Sequence, residues 1–129
     1  MSDLSTSLAV SASGLRAQSQ RLLHISENIS NVDTPGYRRK VIPFEVARGP
    51  SGETLVRAGR VRLDPAQPER IYDPSHPLAD ESGYYRGSNV DLMIEIADAR
   101  EAQRSYEANL KMFEQTRAMS AALLDLLRR

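Results

Sequence analysis

The chain has 129 residues, 17 acidic against 17 basic, and neither cysteine nor tryptophan, with 40% hydrophobic content and only two phenylalanines. That is one domain's worth of protein with a thin supply of core residues, and the missing thiols exclude disulfides and thiolate metal sites. No third of the chain departs from neutrality by more than two charges, which argues against a phosphate-tracking nucleic-acid surface.

The N-terminus has no cationic segment followed by an apolar one and a small-residue cleavage site, so no cleaved signal peptide is expected. No apolar run is long enough to span a membrane, so no direct membrane insertion is expected either. All seven prolines lie between Pro35 and Pro77, and six of seven glycines between Gly36 and Gly87. Two long end segments are left almost free of helix breakers.

Residues 3–33 read as one helix, capped by Asp3, Ser5 or Thr6 and ended by Asp33-Thr34-Pro35-Gly36, because the residue before a proline is pushed out of the helical region. It would be roughly 45 Å long. Leu8, Leu15, Leu22 and Ile29 recur every seven residues, with Leu4, Ile25 and Val32 between them, a spacing that makes a seam for a partner helix. Its flanks are small (Ser5, Ser7, Ala9, Ser11, Ala12, Ser13, Gly14, Ala17), so the helix is weak alone and needs tertiary or quaternary contacts.

The middle differs. Lys40 to Ala47 and Thr54 to Leu63 show partial alternation on either side of Gly49-Pro50-Ser51-Gly52, the pattern of a hairpin with one wet face decorated by Arg57, Arg60 and Arg62. Prolines at 65, 68, 74 and 77 are too dense for a central strand. A turn-rich return arm with a small β element is expected there.

From Asn89 or Asp91 a second helix runs to the C-terminus without Gly or Pro, roughly 55 Å in length. Leu92, Ile96, Ala99, Tyr106, Leu110, Phe113, Leu124 and Leu127 form its stripe. Asp91, Glu95, Asp98 and Glu101 early, and Arg128 and Arg129 late, suit the helix dipole, and Glu107 with Lys111 is an i,i+4 pair. The fold expected is mainly α with a small β element: helices at 1–36 and 89–129 pairing as an antiparallel coiled coil around a β/extended region at 37–88. The packing positions are Leu8, Leu15, Leu22, Ile25 and Ile29 on one helix, and Leu92, Ile96, Tyr106, Leu110, Phe113, Leu124 and Leu127 on the other.

No enzyme signature survives inspection. The face bearing Asp91, Glu95, Asp98 and Glu101 has no histidine on its helix and no second carboxylate-rich helix to complete a ligand set, so it reads as a solvated, dipole-matched surface. His24 and His76 have no nucleophile or partner in the pattern. Gly36, Gly49 and Gly52 match neither phosphate-binding spacing, and Tyr84, Tyr85 and Tyr106 read as packing residues. No catalytic residue, cofactor or metal is expected.

Two stretches are specific. Ile25-Ser26-Glu27-Asn28-Ile29-Ser30-Asn31-Val32-Asp33-Thr34-Pro35-Gly36-Tyr37 resembles the N-terminal signature of bacterial flagellar rod and hook axial proteins, which ends Asn-x-x-Thr-Pro-Gly-Tyr. Arg104-Ser105-Tyr106-Glu107-Ala108-Asn109 resembles that family's C-terminal motif. Between them, Tyr72-Asp73-Pro74-Ser75-His76-Pro77, Gly83-Tyr84 and Asn89-Val90 are similar to the family's short proximal-rod members. Thr34-Pro35-Gly36 is a compact turn here, where many relatives carry a longer Gly- and Thr-rich insertion before the equivalent of Tyr37-Arg38-Arg39.

The resemblance implies a structural subunit of the basal-body proximal rod, in the shaft that spans the periplasm. It implies assembly through the terminal helices with other rod proteins, copies of itself and membrane-ring junction proteins, after export by the flagellar type III apparatus without cleavage. The alternative is a soluble coiled-coil adaptor or export cochaperone, which has no need of the proline-rich arm. The Asp33–Tyr37 turn is expected to be a structural hinge, with Pro35 fixing φ, Gly36 at positive φ and Tyr37 under the middle region; the alternative is a docking motif for the export machinery.

Overall fold

A computed structural model describes residues 3–128; the expected contribution of Arg129 to the helix dipole, and those of Met1 and Ser2 to the first segment, lie outside the described residues. The order is α1 (Asp3–Ser30), β1 (Lys40–Val41), β2 (Phe44–Arg48), β3 (Thr54–Ala58), β4 (Arg62–Leu63), β5 (Arg70–Tyr72), β6 (Tyr84–Arg86) and α2 (Leu92–Leu127). The chain is mainly helical, with long helices at both ends and three small antiparallel pairs between them.

α1 stops three residues before the expected Asp33 because Asn31 ends it. The Asn31 side-chain amide donates to the Glu27 carbonyl at 2.8 Å, and the Asn31 carbonyl accepts from Thr34 N at 3.0 Å. Tyr37 N then donates to the Thr34 carbonyl across Pro35 and Gly36, whose φ is 75°: a type II turn, as those residue types require. The expected caps Asp3, Ser5 and Thr6 all lie within α1. α2 begins behind Asp91, whose carboxylate accepts from Met93 N at 3.0 Å.

The two halves of the expected hairpin do pair. Phe44 to Arg48 runs antiparallel to Thr54 to Ala58, and Lys40-Val41 pairs with Arg62-Leu63. Pro43, which cannot donate, interrupts the ladder, and Gly59 N bridges the gap to the Pro43 carbonyl at 2.8 Å. β3 lies on α1, where Val56 N donates to Ser13 Oγ at 3.2 Å. The return arm folds as β5 against β6, with Ile71 opposite Tyr85.

The helices run in opposite directions. Asn28 meets Glu95, Arg21 meets Asp98 and Glu101, and Gly14 meets Asn109. The seven-residue period is real, but its deepest line is not the leucine line. On α1 the buried positions are Ser11, Ser13, Gly14, Ala17, Ile25 and Asn28, and on α2 they are Glu95, Ala102 and Thr116. Gly14 and Asn28 each immediately precede a member of the leucine line, so Leu8, Leu15, Leu22 and Ile29 flank the seam half-buried.

The stripe expected on α2 divides. Tyr106, Leu110 and Phe113 are half-buried, but Leu92, Ile96, Leu124 and Leu127 are exposed. Small residues at the centre draw the backbones close and leave Tyr106, Leu110 and Phe113 at the rim, while Leu124 and Leu127 lie past the described start of α1.

Candidate functional site: the polar junction of the two helices

The end of α1, the Thr34–Tyr37 turn, β1 and the start of α2 converge on one network. Its centre is Asn28, 1% exposed, and Glu95, 0% exposed. Asn28 Oδ1 accepts from Tyr37 Oη and Lys40 N, both at 2.9 Å, and Asn28 Nδ2 donates to the Lys40 carbonyl at 2.9 Å and to Glu95 Oε2 at 3.3 Å. All of the amide's polar functions are thereby engaged, and an asparagine suits this place because it both donates and accepts.

Arg39 closes the other side. Its guanidinium donates to Glu95 Oε1, to Asp98 Oδ2 at 2.9 Å and to Asp64 Oδ2 at 3.5 Å. Its backbone N donates to Asn89 Oδ1, and Asn89 Nδ2 donates to the carbonyls of Asp64 and Ala66. Burial works against the Arg39 charge, but the hydrogen bond and attraction of Glu95, with those of Asp98 and Asp64, more than offset it and raise its pKa. Burial raises that of the Tyr37 phenol. Outside the network, Lys40 Nζ pairs with Glu27 at 2.6 Å, which lowers the Glu27 carboxyl and raises the Lys40 ammonium.

An open cleft of about 250 Å³ beside this network is lined by Arg21, His24, Ile25, Arg39, Phe44 and Glu95, among others. His24 Nδ1 is buried without a hydrogen bond, 3.7 Å from Glu27. The cleft's arginines and carboxylates neutralise one another, and among the described residues no serine or threonine lines it as a nucleophile. Among the described residues no cluster of three or more potential ligands is placed to hold a metal, and no helix is long and apolar enough to cross a membrane.

The reading of Asp91, Glu95, Asp98 and Glu101 as a solvated face is corrected here. Asp91 and Glu101 are exposed, but Glu95 is wholly buried and Asp98 is bound to Arg39. Helical spacing puts all four on one side. It does not reveal that an arginine from the turn covers part of that side. The one signal available in the sequence is that Glu95, Ala102, Asn109 and Thr116 are spaced by seven, which places a carboxylate in a seam position.

Of the motif residues, Asn28, Asn31, Thr34, Pro35, Gly36 and Tyr37 come together at the junction. Asn109 faces Gly14 with no room to spare: a Cβ on Gly14 would lie 2.8 Å from its Oδ1. Tyr106 sits half-buried beside it, while Glu107 and Ala108 are exposed, and among the described residues no ion pair joins Glu107 to Lys111.

Tyr72, Asp73, Pro74, His76 and Pro77 lie elsewhere, in the β5–β6 hairpin. There His76 stacks on Tyr85 at 3.8 Å, Tyr72 meets Tyr84 edge-on, and hydrogen bonds from Ser75 lower the pKa of Asp73. Gly36 N ties this hairpin to the junction through the carbonyls of Arg86 and Gly87. The end of α1 and the start of α2 thus meet in one junction, with the intervening arm docked on its turn.

Two family models match the segments that build it: the flagella basal body rod protein model over residues 8–38 and the flagellar basal body rod FlgEFG protein C-terminal model over residues 81–126. The flagellar basal-body rod protein FlgC of Agrobacterium fabrum is 42% identical, over 99% of this chain and 98% of its own length. The chain belongs to the FlgC family. FlgC of Aquifex aeolicus is 39% identical, over 91% of this chain and 92% of its own, and that of Bacillus subtilis 31%, over 93% and 95%. The likeness spans helices, hairpin and arm alike.

Proposed function

We propose that this chain is a non-catalytic structural subunit of the proximal rod of the bacterial flagellar basal body, polymerising through its terminal helices. One observation carries the reading beyond family membership. With Gly14 facing Asn109 and Asn28 facing Glu95, Asp3 falls opposite residue 120, so the last two turns of α2 outrun the described part of α1 by about 10 Å. Leu123, Leu124, Leu126 and Leu127 are crowded on that overhang, 49–81% exposed. A patch of that composition on a helix end marks a surface for a neighbour to cover.

In this reading the half-buried Leu8, Leu15, Leu22, Ile29, Tyr106, Leu110 and Phe113 and the exposed Leu92, Ile96, Leu124 and Leu127 are the assembly positions of an antiparallel coiled-coil unit. Copies of this chain and other rod proteins are its partners, with the membrane-ring junction below, and the type III apparatus delivers it. The Asn28–Tyr37 junction acts as a structural hinge that fixes where the arm leaves the helices.

The test is genetic. Deleting the gene should abolish flagella with rod assembly arrested early, and Leu123→Asp/Leu127→Asp should still give soluble, helical protein yet fail to restore swimming. Normal motility in the deletion strain would refute the rod reading.

A further inference from the structure

The zero net charge of the chain conceals a division within its middle. Residues 44–63 carry four arginines against two glutamates, whereas residues 64–91 carry six acidic groups against two arginines. The basic half is the β2–β3 hairpin and its continuation, laid along α1 at Ser13. The acidic half is the arm docked at Gly36, past the C-terminal end of α1. Along α1, Ser13 and Ser30 are about 25 Å apart.

The two halves do not satisfy each other. Arg57 pairs with Glu45 inside the hairpin, and Arg70 with Asp80 inside the arm. Among the described residues no ion pair links hairpin to arm, and Arg60, Arg62, Glu69 and Glu81 have no ion-pair partner. Each half also exposes large apolar side chains next to its charges: Val46 and Leu63 at 71% and 57% on one, Tyr72 and Leu78 at 63% each on the other.

From this complementarity we infer that the basic hairpin of one copy docks on the acidic arm of the next copy of the same chain. Opposite charge selects the partner and register, and the apolar residues beside it supply the burial. Because the two patches differ, a docked pair still offers one free hairpin and one free arm, so the contact propagates instead of consuming both. Screening over about 8 Å at physiological salt makes it a short-range contact that salt weakens. The inference rests on the rod-subunit reading but concerns surfaces outside the helices.

The experiment uses the full chain in sedimentation velocity at low and high salt. Wild-type protein should self-associate at low salt. Arg60→Glu/Arg62→Glu and Glu69→Lys/Glu81→Lys, all at exposed positions, should each weaken association at least tenfold with unchanged circular dichroism. Mixing the two variants should restore association, because reversed hairpin then meets reversed arm.

As the chain has no native cysteine, Arg60→Cys and Glu81→Cys proteins should cross-link when mixed under oxidising conditions, and neither should do so when the other is replaced by wild type. Three results would overturn the contact: a wild-type monomer at every salt and concentration, association indifferent to either reversal, or a mixture no tighter than its components. A strain swimming normally with both reversals separately introduced would also overturn it, while leaving the deletion test of the rod reading untouched.

Discussion

Arg39→Met is the most informative single change, because it strips the counter-charge from a carboxylate with no access to water. Methionine keeps much of the side chain's apolar stem. What is lost is the guanidinium between Glu95, which is 0% exposed, and the partly exposed Asp98 and Asp64. Removing one partner of a buried ion pair costs about 3–5 kcal/mol. Arg39 is itself 20% exposed, so water and Asn28 Nδ2 reclaim part of that, and a loss of about 3 kcal/mol is expected.

For a domain whose total stability is about 5–15 kcal/mol, that is a large fraction. Urea unfolding followed by circular dichroism measures it, and a cycle with Glu95→Gln isolates the pair. The double variant should recover at least half of the loss, since a neutral amide needs no counter-charge. A cost under about 1 kcal/mol, or no coupling between positions 39 and 95, would refute the assignment of this pair as the keystone of the junction.

Three further outcomes follow from the same geometry. Gly14→Ala should destabilise by about 1 kcal/mol despite alanine's better helix propensity, because its Cβ would displace Asn109 from its bond to the Ser105 carbonyl; in an Asn109→Ala background the sign should reverse. Gly36→Val, forced to a φ of 75°, should cost about 1–3 kcal/mol in thermal unfolding. In cells it should permit export while preventing rod assembly, whereas soluble retention in the cytoplasm would show the turn to be a recognition signal. The Glu27–Lys40 pair should contribute stability above the usual carboxylate value of about 4.3 and lose it as pH falls through the lowered folded pKa of Glu27. Lys40→Met should therefore flatten the acid limb of the stability curve, and an unchanged limb would count against the pair.

Local chemistry was enough to read much of this protein from its residues alone. The two end helices follow from the absence of Pro, the near absence of Gly and a seven-residue period. The turn follows from Pro35 and Gly36, the hairpin from alternation around Gly49 and Gly52, and the start of α2 from Asp91. Each depends on neighbours in the chain, within the reach of one hydrogen bond or one helical turn.

What only the tertiary structure decided is the phase of the seam and the fate of its charges. Leucines at every seventh residue announce a partner helix, but small buried residues beside them, Gly14 and Ala17 on α1 and Ala102 on α2, let the helices close and leave the leucines at the rim. The same closeness brings Asn28 onto Glu95 across 67 residues of sequence, and the turn delivers Arg39 to neutralise a carboxylate that the charged face of its helix assigns to solvent. Periodicity reports the direction in which a side chain points. Whether that direction ends in water or on a guanidinium depends on a segment folded back from elsewhere in the chain.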